Sequence, residues 1–257
     1  MPKKLKSTDV LRELEAVSAP ARAAGAARFF KSGPGEYGEG DLFLGVTVPA
    51  SRQIARRYCD LTMQEVVRLL KHPEHEARLT ALLILVEKAK HGDPRSQREV
   101  LDLYLAHTRY VNNWDLVDVS AREIVGPHLR RSPALLPKLA RSKNLWERRI
   151  AIISSMALIR EREVAETFRI AEMLLPDTHD LIHKAVGWAL REAGRIDRLA
   201  LLNFLQSHYP SLPRTTLRYA IEHFPTAKRK QLLRGEFQSL SSAASTSPGS
   251  GRTRKSA

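Results

Sequence analysis

The sequence predicts an all-α protein built as an α-solenoid, a stack of two-helix repeats, and three observations carry that expectation. Apolar residues recur at helical spacing almost everywhere past residue 60, as in MQEVVRLLKH, EARLTALLILVEKA, RRIAIISSMALI and IHKAVGWALREA. Strand-like alternation is nearly absent. A basic residue followed by an apolar run also returns at a near-fixed interval: Arg78 in RLTALL, Arg149 in RIAIIS, Lys184 in KAVGWAL and Arg218 in RYAIEHF, with gaps of 71, 35 and 34 residues. Since 71 is close to two periods, a further member is expected near 113, where NNWDLVDVS begins. A period in the mid-thirties is that of HEAT, armadillo or TPR arrays. Equivalent positions in stacked repeats share a surface, so Trp114, Arg149, Lys184 and Arg218 are expected to form a row. The plainer expectation is an Arg at the edge of each apolar stripe, with no shared surface.

Helix starts are marked by residues that satisfy free backbone N–H groups. Thr62 with Glu65 three later spells a capping box, Asp93 precedes Pro94, and Ser132 precedes Pro133. Asn112 or Asn113 can cap the helix of Trp114, and Asn144 that of Arg149. Roughly a dozen helices result. Two segments break the pattern. KSGPGEYGEGDLFLGVTVP, residues 31–49, is too rich in Gly for a helix and ends in alternating LFLGVTV. It reads as a small Gly-rich hairpin or ordered loop before a helix opened by Pro49, and it lacks the Gly-Lys-Ser/Thr ending of a phosphate loop. From Ser239, SLSSAASTSPGSGRTRKSA has the composition of a disordered basic tail. The expected division is a repeat domain over 1–238 and a tail over 239–257.

At 257 residues and 43% hydrophobic, the chain can bury a sizeable core. Its net charge of +14 and isoelectric point near 10.2 point to a polyanionic partner, nucleic acid before anionic membrane. The one cysteine, Cys59, excludes an intrachain disulfide, a zinc-type cysteine set and a redox pair, which suits a reducing cytosol. Neither an apolar leader follows the charged N-terminus nor does an apolar run of about 18 residues occur. A soluble, cytoplasmic protein with no membrane partner is expected. No coiled-coil pattern argues against a monomer.

Few residues offer chemistry. His72 and His75 in KHPEH straddle a proline, which disrupts the face that would present them to a metal; a surface turn and no metal site are expected. Cys59 has no evident base nearby and reads as core. Trp114 and Asp118, four apart, lie on one helical face about 5–6 Å apart between Cβ atoms, with Asp115 beside them. The plain reading makes Trp114 a packed residue and Asp118 the i+4 partner of Arg122. Trp188 and Trp146 fall in the same helix class, however. A groove holding Trp114, Asp118, Arg149 and Trp188 combines flat apolar walls, one carboxylate and cations, which suits a nucleotide.

WDLVD at 114–118, WERRIAI at 146–152 and KAVGWALRE at 184–192 resemble the DNA alkylation repair family, the HEAT-like-repeat alkylpurine DNA glycosylases of the AlkD type. The resemblance runs over roughly residues 20–225. It implies a right-handed superhelix with duplex DNA on a basic concave face. It also implies hydrolysis of the N-glycosidic bond of cationic lesions such as N3-alkyladenine and N7-alkylguanine, with the lesion left stacked and no cofactor. Asp118 takes the catalytic role, Trp114 and Trp188 the sugar contacts, and Arg149, or Arg148 one residue away, the backbone contact. Lys184, Arg78 and Arg218 from the basic series, and Tyr37 from the Gly-rich segment, complete the expected DNA-binding set. Two alternatives stand beside this: a relative that binds branched DNA without excision, and a helical-repeat scaffold for an acidic protein partner.

Overall fold

A computed structural model describes residues 5–237; the tail expected over 239–257 lies outside the described residues. Fourteen α-helices occur among the described residues. In chain order they are α1 (Ser7–Ala16), α2 (Pro20–Phe29), α3 (Val48–Arg57), α4 (Met63–Leu70), α5 (His75–His91), α6 (Pro94–Ala106), α7 (Trp114–Ile124) and α8 (Leu135–Ala140), then α9 (Leu145–Ile159), α10 (Ala165–Leu174), α11 (Asp180–Ile196), α12 (Arg198–His208), α13 (Arg214–Ala220) and α14 (Thr226–Leu233). Short 3-10 turns occupy Thr108–Tyr110, Gly126–Arg131 and Tyr209–Ser211. No helix among the described residues is long and apolar enough to cross a membrane.

The helices form an α-solenoid of repeats. From α3 to α13 each odd-numbered helix packs on the next odd-numbered one, while α4, α6, α8, α10 and α12 pack against that row. Helices in the row are flanked on several sides, so α5 buries a nearly unbroken run from His75 to Val86 and α9 one from Arg149 to Met156. That is why their apolar residues encircle the helix instead of forming one stripe. Leu82, Ile84, Leu85 and Ile150 are fully buried, each worth roughly 1.5–3 kcal/mol over an exposed position.

Local signals set most helix starts. Asp93 accepts from the Ser96 N–H at 2.7 Å, Asn113 from Trp114 at 2.9 Å and Asn144 from Trp146 at 2.9 Å. Thr62 accepts from the Glu65 N–H, but the Glu65 carboxylate does not return to Thr62. It takes the Ser7 N–H at 2.8 Å and the Ser7 hydroxyl at 2.7 Å, pinning α1 to α4. Ser132 is not a cap, because α8 begins only at Leu135.

Where α11 and α13 meet, Gly187 permits close approach: a Cβ there would stand 2.5 Å from Tyr219 Cβ and 2.7 Å from the Thr216 carbonyl. Gly187→Ala should therefore push α13 away and lower the unfolding free energy by about 1–2 kcal/mol. A chemical denaturation midpoint equal to wild type would show that the contact is slack.

The Gly-rich segment is a succession of turns over residues 33–40. An isolated parallel bridge between Leu42 and Glu74 is its one strand-like pairing. It lies tightly on the repeats. The backbone N–H groups of Leu44, Gly45 and Val46 all donate to the Glu76 carboxylate, at 3.0, 2.8 and 3.2 Å. Gly38 has no room for a side chain, since a Cβ would lie 2.5 Å from the Phe30 carbonyl oxygen.

Candidate active site

A cavity of about 550 Å³ opens over α7, α9, α11 and α13. Phe29, Lys31 and Tyr37 line it from the N-terminal side. Trp114 and Asp118 come from α7, Arg149 from α9, Leu181, Lys184, Trp188 and Arg191 from α11, and Tyr219 from α13. On α11 the lining residues follow one another at intervals of three, four and three, a single helical face. The first turns of α7 and α11, which bring Trp114 and Leu181 to the lining, contribute partial positive charge there, which favours an anion such as phosphate.

The basic series is related to this cavity differently from the arithmetic expectation. Arg149, Lys184 and Arg218 are each the fifth residue of their helices, and the fifth residue of α7 is Asp118. Trp114 begins that helix and stands one turn before the row. One acidic residue thus interrupts an otherwise basic register.

Asp118 is held by Arg149 rather than Arg122, which pairs with Glu123 at 3.3 Å. Arg149 donates from Nε to Asp118 Oδ1 at 2.9 Å and from Nη2 to Oδ2 at 2.8 Å. Its Nη1 reaches the Leu181 carbonyl at 2.6 Å. This bidentate fork is the strong form of a charge-assisted contact, and it ties α7, α9 and α11 together under the cavity. Burial pushes the Asp118 carboxyl above the ordinary carboxylate range, against the opposing pull of the Arg149 charge and hydrogen bonds.

Tyr37 reaches in from the Gly-rich segment. Burial, outweighing the opposing pull of the neighbouring Trp114 indole, holds its phenol above the usual value. The ring lies edge-on to Trp146, centroids 6.0 Å apart. Trp146 itself is buried and supports Tyr37 from behind instead of lining the cavity. Trp114 also meets Phe29 edge-on at 5.7 Å and Phe30 in a stack at 5.4 Å.

The remaining expected residues divide. Lys184 lines the cavity, bridged to Asp180 at 2.7 Å. Arg148 turns away, donating to Asp177 at 2.5 Å and to the carbonyls of Ser142 and Lys143, so of the two neighbouring arginines Arg149 faces the cavity. Arg218 is exposed outside the lining, where its neighbour Tyr219 stands instead. Arg78 requires correction as a DNA-binding residue. Only 4% exposed, its guanidinium is bound to Asp41 at 2.6 Å and to the carbonyls of His72 and Pro73 at 3.0 and 2.8 Å; its interior position leaves nothing for a phosphate. His75 corrects the surface-turn reading of KHPEH: it begins α5, buried between Asp41 and Asp115. No cluster suited to a metal occurs among the described residues. Cys59 is half-buried rather than core, at the edge of a separate cavity.

Lys31, Phe29, Arg191 and Tyr219 escape the sequence reading. Arg191 carries a usable signal, being three residues after Trp188 and seven after Lys184 on one face. The other three flank turns or helix ends, where periodicity carries no information.

The family model described as DNA alkylation repair enzyme matches residues 10–224. The chain belongs to the DNA alkylation repair enzyme family. That match spans every helix whose residues line the cavity. A solved structure, described as a predicted DNA alkylation repair enzyme from Enterococcus faecalis, is similar with a TM-score of 0.64 at 17% identity. The similarity covers 81% of this chain and 97% of that one, and it speaks to the fold. Among curated proteins none matches.

Proposed function

We propose that this member of the family is a DNA glycosylase that hydrolyses the N-glycosidic bond of cationic alkylated purines, N3-alkyladenine and N7-alkylguanine, in duplex DNA. The observation that carries the reading is the convergence of Trp114, Asp118 and Trp188 on one cavity with Arg149 beneath. Departure of the base leaves a sugar with oxocarbenium character. A nearby carboxylate stabilises that charge and orients the attacking water, and indole faces attract the same cation. An alkylated N3 or N7 already makes the purine cationic, so it leaves neutral and needs no general acid. One carboxylate suffices, and selectivity follows from the lability of the bond instead of a base-reading pocket.

Cations beside the carboxylate serve the DNA backbone. Lys31, Lys184 and Arg191 rim the cavity, each in an ion pair that phosphates can exchange for. Lys184→Glu should weaken duplex binding and reduce the log–log salt slope by more than about 1. An unchanged slope would remove Lys184 from the interface.

The bidentate Asp118–Arg149 pair favours a second reading, binding of duplex or branched DNA without excision, because the carboxylate charge is already neutralised. Incubation with duplex DNA methylated at purine nitrogens decides between the two. Release of free methylpurine by wild type supports the glycosylase; tight binding with no release supports the second reading. Excision of a neutral oxidised base at a comparable rate would contradict the mechanism.

A further inference from the structure

The Gly-rich segment is the feature that the repeats do not explain, and its anchorage converges on one side chain. His75 is 2% exposed. Its Nδ1 lies 3.1 Å from Asp41 Oδ2 and its Nε2 lies 2.8 Å from Asp115 Oδ2. Carboxylates only accept, so a ring that satisfies both carries a proton on each nitrogen. Phe30 and Phe43 lie against the imidazole at 4.8 and 4.9 Å between centroids, an arrangement that also favours the cation. Facing it from further off is Arg78, bound to the other oxygen of Asp41, while Asn112 gives that oxygen a second donor at 3.2 Å.

These contacts join three elements. Asp41 lies in the Gly-rich segment four residues beyond Tyr37, His75 opens α5, and Asp115 is the residue after Trp114 in α7. Phe30 stacks on His75 and on Trp114, and Tyr37 stands beside the same indole in the cavity wall. Trp114 is therefore stacked on one residue, Phe30, and flanked by another, Tyr37, on segments that His75 fastens.

We infer that His75 is a positioning residue for this site: hydrogen-bonded to both Asp41 and Asp115, it fastens the Gly-rich segment to α7, so that Tyr37 and Phe30 set the plane of the Trp114 indole. What Trp114 then contacts, the substrate sugar, rests on the glycosylase reading; how Trp114 is held rests on the contacts above. Histidine fits the task because its two opposed donors bridge the carboxylates while its flat ring stacks. A role in packing alone would be met by phenylalanine.

His75→Phe keeps the stacked ring and removes both hydrogen bonds, and Tyr37→Phe keeps the ring in the cavity wall and removes the hydroxyl beside Trp114. In protein labelled with 5-fluorotryptophan, with Trp114 assigned through Trp114→Phe, both variants should displace or broaden the Trp114 fluorine resonance and leave that of Trp188 in place. Both should also lower single-turnover release from methylated duplex DNA by about tenfold with Kd for the duplex within about twofold of wild type, the pattern of lost orientation. Should His75→Phe fail to fold, Tyr37→Phe and the nitrogen-15 resonances of the His75 ring still decide. An unmoved Trp114 resonance in Tyr37→Phe, or a His75 ring carrying one proton at pH 7, overturns the inference. Absence of base release by wild type would sink the glycosylase reading, while the fluorine spectra would still judge the positioning.

Discussion

Asp118→Asn is expected to reduce release of methylated purines from duplex DNA by at least about a hundredfold, with duplex affinity within about threefold of wild type. A unit charge about 4 Å from the developing sugar cation is worth roughly 4 kcal/mol at an effective dielectric near 20, and a hundredfold corresponds to about 2.7 kcal/mol. The Arg149 guanidinium, 2.8 Å from Asp118 Oδ2, takes part of that field, which is why the expected loss stands at the lower value. The same contact raises a stability question. Asn leaves a guanidinium that is 5% exposed without its counter-charge, at a cost of roughly 3 kcal/mol. The double variant Asp118→Asn, Arg149→Met separates the two effects, since it should recover stability without recovering release. Burial holds the Asp118 carboxyl high, so release by wild type should fall as pH drops through a value above the ordinary carboxylate range. Equal rates for wild type and Asp118→Asn would remove the carboxylate from the mechanism.

Much of this site is legible before folding is considered, for a physical reason. Helix caps are local, so Asp93, Asn113 and Asn144 announce their helices from sequence, and the i to i+4 spacing of Trp114 and Asp118 places both on one face. Glu65 shows the limit of that locality. Its spacing to Thr62 spells a reciprocal box, yet its carboxylate bonds 58 residues away to Ser7, a partner that no local pattern contains. The repeat period locates Arg149 and Lys184 but misplaces the acidic member by one turn, because α5 to α7 and α7 to α9 are spaced unequally. Arg78 belongs to the basic series read from sequence and is buried nonetheless, since Asp41 arrives from a Gly-rich segment whose path has no periodicity to read. His75 is misread for the same reason. A proline beside it argues for a turn, and only the fold shows two distant carboxylates closing on the ring.

That buried ring also sets how stability depends on pH, and unfolding free energy should fall by about 3 kcal/mol between pH 6 and pH 10. Burial by itself would draw His75 down, but hydrogen bonds to Asp115 and Asp41 outweigh it and push the imidazole up to about 9. A histidine raised in the folded state binds its proton more tightly there than in the unfolded chain. Its contribution is thus complete below about pH 6.5, the unfolded value, and is lost as pH climbs through about 9. Asp41 bounds the other side. Burial raises it, yet the hydrogen bond to His75 and the charge of Arg78 hold it below its usual value, so its contribution disappears under acid conditions. Urea midpoints measured from pH 4 to pH 10 should pass through a plateau with a decline on each side. Lysines and tyrosines also titrate near the alkaline end, so the difference between wild type and His75→Phe isolates the histidine: the variant should be less stable at pH 6 and approach wild type by pH 10. A gap that stays constant across that range would mean that the imidazole carries no extra proton in the folded protein, and that the two carboxylates are neutralised by some other arrangement.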